Sequence, residues 1–235
     1  MKSKMHHTLK TLVLIAALTA TLSAGTAHAD PPTATYEVTI TNFTHGQPFT
    51  PPVIATHNRG FKMFQIGRPA SEGVKEVAEN GNLGPLVSML ENSPKVSDHV
   101  VAIAGDPPPL MPGASVTVEI TGGPSAKVLS FVSMLICTND GFAGFNSMQL
   151  PRDIGETEVE YVGDYDAGTE INTEDFNDIV PPCPLLTGVE TSKPGTGMSN
   201  PALAENSVVR PHRGVQGGAD LVPRIHNWAG PVGKI

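Results

Sequence analysis

Residues 135–170 read LICTNDGFAGFNSMQLPRDIGETEVEYVGDYDAGTE. They begin at the end of an apolar run, residues 128–136, that is short, continuous and rich in large and β-branched side chains, the pattern of a buried strand. Cys137 closes that run. Thr138-Asn139-Asp140-Gly141 follows, and Asn, Asp and Gly make turns because they tolerate positive φ and bond their own backbone. Residues 156–162 alternate as a strand with one wet face, then run into Gly163-Asp164-Tyr165-Asp166-Ala167-Gly168-Thr169-Glu170. Two strand ends thus each lead into an acidic loop. Asp140, Asp166 and Glu170 offer three carboxylates, and a hard cation such as Ca²⁺ takes six to eight oxygens from carboxylates, carbonyls and water. The spacing is not that of an EF-hand, which needs D-x-[DN]-x-[DN]-G and a Glu at its twelfth position.

Outward from this stretch the strand pattern continues. Residues 35–43, 96–104 and 114–121 read as further strands, separated by turn signals such as Met111-Pro112-Gly113 and Gly122-Gly123-Pro124. Residues 71–79 read as a short helix capped by Ser71 and ended by Asn80-Gly81, and residues 83–92 as a second, with Pro85 in its first turn. Val74, Val77, Leu86, Met89 and Leu90 supply the faces that pack on the strands. Many short strands between turns predict an antiparallel β-sandwich with short helices in its loops. Residues 184–206, rich in Gly, Pro, Ser and Thr, read as a surface excursion. Trp228, the single tryptophan, is expected to cover one end of the core.

TNDGF followed by DYDAGTE resembles the core of the spondin domain, the N-terminal module of the F-spondin and mindin matrix proteins, and most closely its secreted single-domain bacterial versions. Residues 36–42 (YEVTITN), 70–74 (ASEGV) and 212–218 (HRGVQGG) extend the resemblance in the same order over nearly all of the chain. It implies an antiparallel β-sandwich, a region over residues 53–64 that leads from the first strand into an irregular segment, and a Ca²⁺ site built by Asp140, Asp166 and Glu170. Animal members carry Asp where this chain has Glu170, a ligand one methylene longer. The resemblance also implies an adhesion-type role, with an extracellular protein or surface glycan as partner.

The start of the chain carries Lys2, Lys4 and Lys10, an apolar centre over residues 11–21 and Ala27-His28-Ala29 before Asp30. That is the layout of a secretory signal peptide over residues 1–29, too short for a membrane span. Residues 30–235 are expected to form one domain, secreted or periplasmic, long enough for a sizeable core. The formal charge of −8 comes from 15 basic and 23 acidic side chains; without the three leading lysines 12 remain against 23, or −11. Such an acidic protein is a poor nucleic-acid binder. Cys137 and Cys183 are the two cysteines. Outside the cytoplasm such a pair forms a disulfide, and no C-x-x-C spacing suggests redox catalysis.

Other chemistries lack their motifs. The histidines of residues 30–235 (His45, His57, His99, His212 and His226) include no H-E-x-x-H pair. No His follows Cys137 as a cupredoxin-type copper site requires. There is no G-x-S-x-G nucleophile turn and no Gly-Lys phosphate loop. Glycoside hydrolysis needs only two carboxylates, so a secreted hydrolase using the acidic loops is the alternative reading, beside a periplasmic protein in which Ca²⁺ is purely structural. The main expectation is a non-enzymatic, calcium-binding recognition domain.

Overall fold

The computed structural model describes residues 33–105 and 108–235. The expected signal peptide, residues 1–29, lies outside the described residues. The strands are β1 (Ala34–Asn42), β2 (Val53–His57), β3 (Val96–Val101), β4 (Ser115–Gly122), β5 (Val128–Met134), β6 (Gly141–Gln149), β7 (Tyr161–Asp166), β8 (Arg210–Pro211) and β9 (Gly233–Lys234). The helices are α1 (Glu72–Asn80), α2 (Gly84–Glu91), α3 (Pro182–Thr187) and α4 (Pro223–His226). All strand pairs are antiparallel, in the order β3-β2-β5-β6-β7-β9-β1-β4, with β8 beside β7. The terminal strands of that path are joined by side chains instead of a ladder. Asp98 Oδ2 accepts from the N–H and the hydroxyl of Thr121, each at 2.7 Å, and Ser97 Oγ accepts from Gly123 N at 2.7 Å. The sheet is therefore a nearly closed, flattened barrel, the expected all-β architecture with few short helices.

The apolar run of β5 is continuous because both of its faces are buried. Leu129 and Phe131 point into the barrel with Ile40, Ile54, Ile120 and Val162. Val132 and Met134 point outward, against Val74 and Val77 of α1 and Leu86 and Leu90 of α2. Ser71 caps α1 by accepting from Val74 N at 3.3 Å, and Gly81 ends it in the left-handed region. The two helices touch so closely that a Cβ at Gly73 would stand 2.8 Å from Leu86 Cα. Trp228 packs on both the inner and the outer cluster, the covering role its uniqueness suggested.

Three local features differ from the sequence expectations or were absent from them. Within residues 53–64, Val53–His57 is a second buried strand, β2, paired to both β3 and β5, and the irregular segment begins only after it. The strand expected over residues 156–162 begins only at Tyr161; just before it Glu160 bonds Ile235 in both directions, and residues 156–159 have no ladder. The strand that does follow the first acidic turn is β6, whose Gly-rich GFAGFNSMQ shows neither alternation nor β-branching. Its glycine is demanded by packing, since a Cβ at Gly144 would meet Phe131 O at 2.7 Å. Near Ser147, with φ of 71°, the β5–β6 register shifts, and such a bulge bends the strand. β7 pairs with β6 only over Gly141 to Gly144.

Candidate metal centre

The first acidic loop joins β5 to β6. Gln47 anchors its start: Gln47 Oε1 accepts from Cys137 N at 3.0 Å, and its amide donates to Cys137 O at 3.0 Å and His226 O at 2.6 Å. Thr138 Oγ1 donates to Leu135 O at 2.7 Å and accepts from Gly141 N at 2.9 Å, which folds the turn. The next residue, Asn139, spans to the following loop, accepting from Glu174 N at 3.1 Å and donating to Thr173 Oγ1 at 3.1 Å. Cys137 and Cys183 form the expected disulfide, with Cα atoms 5.1 Å apart. It closes a sequence separation of 46 residues, a constraint worth about 4 kcal/mol in the chain-entropy account. The residues that carry the acids thus start from a covalently fixed point.

Asp140 is fully buried. Its Oδ2 accepts from Thr169 N at 2.8 Å, Glu170 N at 3.1 Å and Thr169 Oγ1 at 3.3 Å, and its carbonyl accepts from Ala167 N at 3.1 Å. The second acidic loop is therefore folded around the first. Asp140 Oδ1 is buried without any partner, a costly condition for a carboxylate oxygen.

Asp166 ends β7 directly across from Gly141. Its Oδ1 accepts from Gly168 N at 2.8 Å, and its Oδ2 from Asn172 Nδ2 at 2.8 Å and from Arg210 Nη2 at 3.0 Å. Arg210 is also paired to Glu205 at 2.7 Å. Gly168 lies in the left-handed region with φ of 71°, and a Cβ there would strike Val208 N at 2.6 Å, so the loop demands glycine on both counts.

Glu170 is buried in an isolated bridge to Ala204. Burial, then the charges of Glu79, Asp140 and Asp178, push its carboxyl up to about 8. Burial, then the charge of Asp166, pushes Asp140 up to about 7, against the opposing pull of the Thr169 and Glu170 hydrogen bonds. The three sequence-derived acids thus share one buried, electronegative region. Both oxygens of Asp166 already accept hydrogen bonds; the oxygen most conspicuously open to a cation is Asp140 Oδ1. The three carboxylates do not draw together as closely as a preformed ligand set. Among the described residues the one trio of potential ligands with atoms all within 4.8 Å is Cys137, Cys183 and His226. Both sulfurs of that trio are spent in the disulfide, so it offers no thiolate to a metal.

A family model described as Spondin_N matches residues 36–176, a span that holds both acidic loops. The chain belongs to the spondin N-terminal domain family. No curated protein matches it. The spondin match ends before Cys183, Arg210 and the HRGVQGG segment, which this chain nevertheless packs onto its acidic loops. Two partners of the site escaped the sequence reading: Glu79 on α1, hidden inside an ordinary amphipathic helix, and Arg210, which nothing local ties to Asp166. A disulfide and a spondin domain are consistent with an extracellular location. Among the described residues no helix is long and apolar enough to cross a membrane.

Proposed function

We propose that the protein is a secreted or periplasmic recognition domain, not an enzyme, whose acidic loop end binds Ca²⁺. The observation that carries the reading is Asp140 Oδ1: a fully buried carboxylate oxygen without a partner, beside two further buried acids. A bound divalent cation would satisfy that oxygen and offset the burial and the neighbouring negative charges that raise Asp140 and Glu170. Asp140, Asp166 and Glu170 would hold it, with carbonyls and water completing a hard-oxygen shell. The cation would fasten the Asp166–Glu170 loop to the β5–β6 turn and so fix the surface around it. By analogy with the family, that surface engages an extracellular protein or a surface glycan.

The test is calorimetric titration of Ca²⁺ into chelator-stripped protein, wild type against Asp140→Ala and Asp166→Ala. One site in the wild type, lost in both variants while circular dichroism shows them folded, is the expected result. Absence of binding heat at millimolar Ca²⁺ would refute the site. Adsorption to matrix proteins and polysaccharides, with Ca²⁺ and with chelator, then separates recognition from a purely structural ion: Ca²⁺-dependent adsorption supports the first, and equal adsorption the second.

A further inference from the structure

At the other end of the β5–β6 hairpin the barrel wall is incomplete. β1 pairs with β4 along one edge, from Ala34↔Gly122 to Thr41↔Ser115. On its other edge it meets only the two-residue β9, at Thr41 and Asn42. The parity of the ladder shows which groups remain. Asn42 N donates to Ala114 O and Asn42 O accepts from Gly113 N on the β4 side, whereas Phe43 N donates to Val232 O on the β9 side. Bonding alternates along an antiparallel strand, so Thr35, Glu37 and Thr39 turn their N–H and C=O groups toward the edge that β9 leaves uncovered. Among the described residues no backbone group meets them there.

The opposite wall of this gap is the segment over residues 151–159. After Ile235 bonds Glu160 in both directions, at 3.0 and 3.1 Å, residues 157–159 make no backbone bond to β1. The groove between the walls has a volume of about 560 Å³ and an apolar floor in which Met148 is half-buried over the buried Leu129 and Leu150. Ile154 is fully exposed beside it, and Val159 and Tyr161 stand 55% and 61% exposed. A strand edge, an apolar floor and uncovered apolar side chains on the far wall together form the slot for one more strand.

We propose that this groove binds an extended segment of another protein chain, which adds beside β1 in line with β9. Alternate side chains of that segment lie on Met148 and against Ile154 and Val159 of the far wall, while its backbone bonds Thr35, Glu37 and Thr39. The rim carries Glu37, Asp153, Glu156 and Glu158 against Arg152 and Lys234, so the segment carries Lys or Arg on its outward face. A second copy of this chain is the poorer occupant. Pairing β1 with its symmetry mate over this stretch sets Glu37 against Glu37, and like charges directly opposite destabilise a strand pair.

The experiment uses the purified protein and a capped synthetic peptide that alternates Val with Lys and Thr. Amide exchange is read residue by residue by NMR. The expected result is slowing by about tenfold or more at Thr35, Glu37 and Thr39, with little change at the acidic loops. A peptide N-methylated at alternate residues keeps the side chains but loses the backbone donors, and is expected to bind at least about tenfold more weakly, as the loss of two or more hydrogen bonds predicts. Glu37 is exposed, so Glu37→Lys should fold normally, weaken the Lys peptide and strengthen a Glu-for-Lys peptide. Unchanged exchange at the three amides, equal binding of the N-methylated peptide, or protection of the same amides by concentration-dependent self-association would each overturn the proposal.

Discussion

The β5–β6 hairpin has two unlike ends. At the turn end β6 is paired on both edges, β8 adds a further pair to β7, a disulfide holds the turn, and side-chain hydrogen bonds lock the loops. At the far end β6 passes its bulge without β7, and β1 faces a slot. The first end buries charge inside a nearly satisfied network. The second leaves neutral backbone and apolar surface open. A closed loop cluster suits an ion, which needs fixed oxygens; an open strand edge suits a peptide, which brings its own donors and acceptors.

The contrast is open to attack, beginning where the largest change is expected. Replacing both cysteines by serine should cost about 4 kcal/mol, read as a lower urea midpoint. Exchange should quicken first at residues 137–141 and 166–174, and little at β1; equal quickening at both ends would dissolve the distinction. Saturating the acidic end with Ca²⁺ at one hundred times its Kd should stabilise the protein by about 2.7 kcal/mol, with no effect on the exchange of Thr35, Glu37 or Thr39. Arg210→Ala removes the cation from the buried Asp166 carboxylate. Because Arg210 is itself 30% exposed, the loss should be nearer about 2 kcal/mol than the full cost of breaking a buried pair, and added Ca²⁺ should recover part of it. A stability unchanged in chemical denaturation would show that Arg210 is not what holds Asp166. Ile154→Ser, on the open wall, should alter stability by no more than about 0.5 kcal/mol while weakening peptide binding; a large destabilisation would mean that the groove is packed, not open.

The parts legible in sequence were those with local signatures. Alternation marked β1 and β4, a continuous apolar run marked β5, Ser71 and Gly81 bounded α1, and two cysteines gave the disulfide. The acidic loops were legible as carboxylates next to glycine at strand ends. β6 was not, because its residues answer to packing: Gly144 exists for the approach of Phe131, a contact made across the hairpin. Residues 156–159 alternate like a strand yet lack a partner, since pattern reports which face is wet and not whether a ladder is present. Arg210 and Glu79 join the acidic end through the tertiary fold alone. The open edge of β1 was equally invisible, as an unpaired strand has the same sequence as a paired one.

The pH dependence of that acidic end gives the most direct test. Asp140 and Glu170 are raised to about 7 and about 8, above their unfolded values near 4. Between those limits the native state keeps protons that the unfolded chain has released, so the cation-free protein is most stable below the window and weakens as pH rises through it. Ca²⁺ replaces those protons, and its effect should therefore grow with pH. The decisive measurement is the thermal unfolding midpoint from pH 5 to pH 8.5, in chelator and in millimolar Ca²⁺, for the wild type and Asp140→Asn. The account predicts a midpoint that falls with pH in chelator, is restored by Ca²⁺ at the alkaline end, and loses that response in the variant. Coincident curves with and without Ca²⁺ at pH 8 would contradict it.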